Sequence, residues 1–129
     1  MLSNSVNKTE LLLNLSNLLK VNNINNFEEE SQIMIAYAGN SEKYIDVKFS
    51  KIDLIILKFI VEERLKGRPL SKIIKQKGFW KNIFYTDEHT LDPRADSEII
   101  IENILNDLFN SKIKEHFFID ICCGSGCLG

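Results

Sequence analysis

The stretch Phe117-Phe118-Ile119-Asp120-Ile121-Cys122-Cys123-Gly124-Ser125-Gly126-Cys127-Leu128-Gly129 constrains the fold more than any other part of the chain. An apolar run with an acid near its end passes directly into small residues and glycines. That order predicts a buried strand, from His116 or Phe117 to Ile121, breaking into a nucleotide-binding loop with a helix expected next. A ligand with a nucleoside and an amino-acid or phosphate tail must lie close to backbone at such a strand end. Small residues allow the approach, and exposed N–H groups supply donors. The candidate cofactor-binding residues are therefore Asp120, Cys122, Cys123, Gly124, Ser125 and Gly126. Gly124, Gly126 and Gly129 also satisfy the G-x-G-x-x-G spacing, which keeps a dinucleotide-dependent oxidoreductase among the readings. An ordinary glycine turn after a buried strand fits the loop alone equally well. The sequence stops at Gly129, so the upstream chain reads as what precedes a cofactor site rather than as a complete enzyme.

With 129 residues, 44% of them hydrophobic, the chain is long enough for one compact domain with a core and for part of a second. Charges of both signs are interspersed and sum to −2, which argues against direct nucleic-acid binding through phosphate attraction. The three cysteines, all at or after position 122, do not form a secreted disulfide framework. Adjacent Cys122 and Cys123 are poor partners for each other, and a reducing cytoplasm is the expected setting. His116, Cys122, Cys123 and Cys127 lack the paired spacing of structural zinc sites, so no metal is expected. The start, Met1-Leu2-Ser3-Asn4-Ser5, has no signal-peptide pattern. The richest apolar run, Leu54 to Val61, is interrupted by Lys58, so no membrane span is expected.

Along the chain, leucines at 11, 12, 15, 18 and 19 predict one face of an amphipathic helix over 8–21, with Asn14, Ser16 and Asn17 largely on the other face. Asparagines 22, 23, 25 and 26 suit a turn. A second helix is predicted over 27–38, its first turn carrying Glu28, Glu29 and Glu30 and its end marked by Gly39-Asn40. Residues 41–49 read as a connector. Ser50 and Asp53 predict a capping box opening a third helix over 51–66, stopped by Gly67 and Pro69. Its apolar residues Ile52, Ile55, Ile56, Phe59 and Ile60 cover more than one face and suggest the central helix of a small bundle. Arg64, Lys66 and Arg68 read as a solvated helix end. Residues 71–74 suit a short strand or a helical turn, Gly78 punctuates, and the alternating aromatics of 79–85 predict a hairpin. Asp92-Pro93 marks a boundary before a helix over 96–109, capped by Asp96, with Ile99, Ile100, Leu105, Leu108 and Phe109 facing a core. His89 reads as a surface residue, and 111–115 as a polar connector.

Arg64, Gly67-Arg68-Pro69-Leu70, Phe79-Trp80, Thr90-Leu91-Asp92-Pro93-Arg94-Ala95-Asp96-Ser97-Glu98 and Ile119-Asp120-Ile121-Cys122-Cys123-Gly124-Ser125-Gly126-Cys127 stand in a telling order. Together they resemble the HemK-type protein-(glutamine) methyltransferases that modify bacterial peptide chain release factors. In that family they are similar to an arginine plus G-x-P segment, an E-F-W element, a T-L-x-P-R-x-D-T-E box and a D-L-G-T-G-S-G cofactor loop. The likeness covers about half the chain, and the first two helices match only in kind.

The resemblance implies a helical domain (1–70) that helps dock the release factor and a β-hairpin linker (71–93). The truncated start of a Rossmann-like α/β methyltransferase domain (94–129) would follow. It also implies transfer of a methyl group from S-adenosylmethionine to the glutamine amide of a release factor's Gly-Gly-Gln motif. Cys122 to Gly126 would wrap the methionine end of the cofactor, with Asp120 just before them, and Arg94 to Glu98 would sit beside the site and join the two domains. Cys122 stands where the family has its first glycine; if that position needs a positive φ, a Cβ costs about 1 kcal/mol. Ser97 replaces the usual threonine. The family's catalytic Asn-Pro-Pro-Tyr is absent, the only prolines being Pro69 and Pro93, so no catalytic residue is assigned and the chain alone is expected to be inactive. The alternative is a stand-alone binding module that docks a release factor or another protein without chemistry. The final strand, lacking neighbours, is expected to stay poorly ordered.

Overall fold

A computed structural model describes residues 7–41, 43, 49–112 and 115–129. They fall into two compact units, divided between Ile74 and Lys75. Most of the connector expected over 41–49, and part of that over 111–115, lies outside the described residues.

The first unit is helical. Helix α1 (Lys8–Val21) opens on Asn7, whose Oδ1 accepts from the N–H groups of Thr9 and Glu10 at 3.2 and 3.4 Å. The turn that follows uses Asn23 at φ +59, a left-handed geometry that asparagine tolerates. Helix α2 (Phe27–Ala38) ends at Gly39, but the left-handed residue is Asn40, at φ +48. Helix α3 (Lys51–Leu65) starts with the expected capping box: Asp53 N–H donates to Ser50 Oγ at 3.2 Å, and Ser50 N–H to the Asp53 carboxylate at 2.6 Å. Each half satisfies an N–H that a helix start otherwise leaves without an acceptor. Gly67 takes φ +92 just beyond the helix, where a Cβ would be strained. Residues Leu70–Ile74 form a single helical turn, α4, rather than a strand.

These helices share one core. Leu15 and Leu19 of α1, Met34, Ile35 and Ala38 of α2, Leu57 and Ile60 of α3, and Leu70 and Ile74 of α4 pack together with Ile24. Two of the sequence expectations need correction here. Ser16 does not face solvent: its Oγ donates to Ser31 Oγ at 3.1 Å, and the fully buried Ser31 donates to the Phe27 carbonyl. The apolar surface of α3 is not all core. Only Leu57 and Ile60 are buried, while Ile52 and Ile55 remain 68% and 67% exposed and Phe59 is exposed beside them. Helix α3 packs through one edge, so it flanks the bundle instead of running through its middle.

The second unit opens with an antiparallel hairpin, β1 (Gln76–Phe79) and β2 (Asn82–Tyr85), with Phe79 opposite Asn82 and Gly78 opposite Ile83. Gly78 lies within β1, and the turn itself is Trp80-Lys81. Phe79 and Phe84 meet edge to face at 6.2 Å. After the hairpin, Ala95–Ser97 make a 3-10 turn and helix α5 runs Glu98–Asn110.

Here too the sequence reading needs correcting. Asp96 does not cap α5; Ser97 occupies the cap position and makes no side-chain bond to the helix. No residue of α5 is buried, and Phe109 is 86% exposed. The expected strand at 117–121 is not a strand: residues 115–120 have no regular structure, and Phe117 is 95% exposed. Both departures share one cause. A strand needs neighbouring backbone, and an amphipathic helix needs a layer to cover. Among the described residues the one sheet is the two-stranded hairpin.

The contrast in burial gives an expected outcome. Leu19→Ala should lower the unfolding free energy of the chain by about 2–5 kcal/mol, whereas Ile55→Ala should change it by about 0.5 kcal/mol or less. Urea titration followed by helical circular dichroism measures both; equal losses would contradict the packing described.

Candidate functional site

In the helical unit, the segment around Arg64 is not a solvated helix end. The Arg64 guanidinium grips the Glu30 carboxylate through two bonds, Nε at 2.6 Å and a terminal nitrogen at 3.2 Å. Both side chains are largely shielded, at 18% and 17% exposure. Arg64 also donates to the Arg68 carbonyl at 3.3 Å, tying α2 and α3 to the bend before Pro69. A planar fork suits this bidentate geometry in a way an ammonium would not. Beside it, Glu63 accepts from Lys66 at 2.6 Å and Arg68 at 3.2 Å. The bond from Lys66, then that from Arg68, holds the Glu63 carboxyl below the usual range. A depressed carboxylate stabilises above its unfolded pKa and ceases to do so as pH falls through the folded one.

In the second unit, Trp80 takes φ +53, because a two-residue hairpin turn requires a positive φ at its first position. A bulky side chain is strained there. The compensation comes from 18 residues downstream: the Trp80 N–H donates to the Glu98 carboxylate at 2.7 Å. The first residue of α5 thus reaches back to the hairpin tip, while Lys81 Nζ lies 5.8 Å from the centre of the Trp80 ring. Asp87 organises the next bend, accepting from Thr90 Oγ1 at 2.9 Å and His89 N–H at 3.0 Å. The Thr90 bond, followed by that from the His89 backbone, lowers its pKa. Arg94 and Asp96 are exposed, and Pro93 is buried.

The terminal loop keeps its expected turn. Cys122, Gly124 and Gly126 have φ of +63, +58 and +74, and Gly126 N–H donates to the Cys123 carbonyl at 2.8 Å. A Cβ built on Gly129 would stand 3.7 Å from an Asp120 carboxylate oxygen, so the chain folds back toward that acid. Asp120, Cys122, Cys123 and Gly124 are exposed; Ser125 and Gly126 are half-buried. Left-handed glycines leave the backbone of this turn open to close approach by a ligand. They do not enclose one, which would bury most of a ligand's surface. Among the described residues, no three His, Cys, Asp or Glu side chains converge as metal ligands. None of the described helices is long and apolar enough to cross a membrane.

The Arg64–Glu30 grip and the reach of Glu98 are the features that sequence reasoning missed. The aromatic alternation located the hairpin, and its two-residue turn would have implied the geometry at Trp80. Nothing in the sequence pairs Glu30 with Arg64.

No family model matches this chain. It is similar to proteins named release factor glutamine methyltransferase. The one from Leptospira interrogans is 42% identical over 67 residues, covering 52% of this chain and 23% of that protein. The one from Buchnera aphidicola subsp. Acyrthosiphon pisum is 29% identical over 113 residues, 84% of this chain and 39% of its own. The one from Haemophilus influenzae is 28% identical over 123 residues, 88% and 42% respectively. The chain thus spans well under half the length of these relatives.

The Glu98 bond can be tested directly. A hydrogen bond to a charged group contributes about 1.5–3 kcal/mol, so Glu98→Ala should speed exchange of the Trp80 amide by roughly 10- to 100-fold. Unchanged exchange, read by NMR, would show that the carboxylate does not hold the turn.

Proposed function

Since this chain belongs to the release factor glutamine methyltransferase family, we propose that it supplies the substrate-docking helices and the opening of the cofactor domain of such an enzyme. The observation that carries this reading is the ordered set of motifs, Thr90 to Glu98 followed by Asp120 to Gly126, in a chain with these relatives. Residues 1–70 form the docking domain, 71–93 the linker, and 94–129 the start of a Rossmann-like methyltransferase domain. The substrate is the glutamine of a release factor's Gly-Gly-Gln motif, and the setting is the cytoplasm. Asp120, Cys122, Cys123, Gly124, Ser125 and Gly126 would hold the methionine end of S-adenosylmethionine, which supplies an electrophilic methyl group. The left-handed glycines and the turn closed by Gly126 support that placement. The apolar run 117–121 is the strand that would pair once neighbouring strands are present. With no Asn-Pro-Pro-Tyr in the sequence to orient a weakly nucleophilic amide, these residues alone do not catalyse transfer.

A second reading, docking without chemistry, is favoured by Ile52, Ile55 and Phe59, which line one exposed side of α3. One experiment separates the two. A chimera carries this chain in place of the aligned segment of the Haemophilus influenzae relative and is offered a release factor and S-adenosylmethionine. The enzyme reading expects methylated glutamine by mass spectrometry, with an unmethylated product from the chain alone. A chimera that folds and binds cofactor but leaves the glutamine unmodified would overturn it. The chain alone should also show no micromolar affinity for S-adenosylmethionine by calorimetry; measurable binding would contradict the one-edged site.

A further inference from the structure

Charge is sorted along the second unit. No carboxylate lies between Glu63 and Asp87, and no cation between Arg94 and Lys112. The hairpin and its ends therefore carry Lys75, Lys77 and Lys81 without an acid, while α5 carries Glu98, Glu102 and Asp107 without a base. Each element also leaves large apolar side chains in water. The hairpin register sets Gly78 opposite Ile83 and Gln76 opposite Tyr85, so these four share one face. Ile83 and Tyr85 are exposed, and a Cβ at Gly78 would meet nothing within 4 Å. That face is open, whereas Phe79 on the other one is buried. On α5, Ile101, Ile104 and Leu108 are half-buried and share one side at helical spacing. The surface away from them presents Ile99, Glu102 and Phe109, all exposed. Glu98 is engaged by the Trp80 N–H, which leaves Glu102 and Asp107 as the exposed acids of the helix.

A basic apolar face and an acidic apolar one are complementary, yet within one chain both stay exposed. From this we infer that their occupant is a second copy of this chain. The hairpin face of each protomer seats on the α5 face of the other, and the two equivalent contacts close a dimer about a two-fold axis. Tyr85 and Phe109 are the large side chains that lose water at the centre of each contact. Lys75 and Lys81, at the two ends of the hairpin, meet Glu102 and Asp107 at the rim; Lys77 stands on the other face, with Phe84. Opposed charge sets the register, and it disfavours hairpin on hairpin or helix on helix, which would bring like charges together. An acidic peptide or a nucleic acid would answer only the hairpin and leave the acidic face of α5 uncovered; a second copy answers both. The inference goes beyond the methyltransferase reading and does not rest on it.

The test follows the mass of the full 129-residue chain, kept reduced, by analytical ultracentrifugation over a concentration series. The expected result is a monomer–dimer equilibrium that weakens as sodium chloride rises from roughly 0.05 to 0.5 M, because charges at a rim are screened. Lys75→Glu with Lys81→Glu, and separately Glu102→Lys with Asp107→Lys, should each weaken the dimer at least about tenfold, since both contacts then oppose like charges. Mixing the two altered chains should restore it, because each contact of the mixed pair again joins opposite charges. Helical circular dichroism checks that both altered chains fold, and the salt series on the unaltered chain decides the matter without them. A monomer at every concentration, a dimer unmoved or tightened by salt, open-ended assemblies in place of a dimer, or a mixture no tighter than either altered chain alone would each overturn the proposal.

Discussion

The mutual burial of Leu19, Met34, Ile35 and Ile60 turns separate amphipathic helices into a folded unit. Each of these side chains loses its water contact only because the others are there, and full burial of one such residue is worth about 1.5–3 kcal/mol. Everything else in the helical unit depends on that contact. It brings α2 beside α3, which lets Glu30 and Arg64 meet across 34 residues of sequence. It also brings Ser16 against Ser31, so that a buried hydroxyl has partners on both sides. An ion pair this shielded would cost more in desolvation than it returned if its geometry were loose; a bidentate grip with one short bond, and a carbonyl acceptor for Arg64, make it tolerable.

Among the described residues the second unit has no equivalent contact, and its features follow from that. The hairpin is too small to be stable on its own merits. It is supported by an aromatic pair and by a carboxylate placed under its turn. Helix α5 leaves Ile99, Ile100, Leu105 and Phe109 exposed, and among the described residues the run from Phe117 to Ile121 has no strand to pair with. Exposed apolar surface of this extent is unusual unless something covers it. A parallel sheet of the kind proposed would cover both, since its strands are buried on both faces by flanking helices.

Local rules were legible in the sequence, and partnerships were not. The limits of α1 and α2, the Ser50–Asp53 box, the bend at Gly67 and the hairpin all follow from spacing, caps and turn chemistry within a few residues. Ser16, the outer residues of α3, the apolar side of α5 and the strand at 117–121 were misread for one reason. Periodicity says that a face is apolar, but burial depends on what arrives opposite it. The same holds for Glu98: its position at a helix start suggests a role with the dipole, while its actual partner is an N–H at the tip of a hairpin.

The terminal loop shows where that boundary falls. Its turn persists without a strand before it, because it is closed by one bond between residues three apart and by glycines that accept left-handed dihedrals. Cys122 is drawn into the same geometry at φ +63, although its Cβ makes that conformation costlier by about 1 kcal/mol than it is for glycine. A residue held there against its preference indicates that the turn, and not the side chain, dictates the path of the backbone. The loop is thus fixed in shape yet open in environment: its turn is closed by a bond of its own, while Asp120, Cys122, Cys123 and Gly124 stay exposed. Affinity for a ligand needs both, because an exposed donor exchanges one partner for another while a buried one gains from the water it no longer holds.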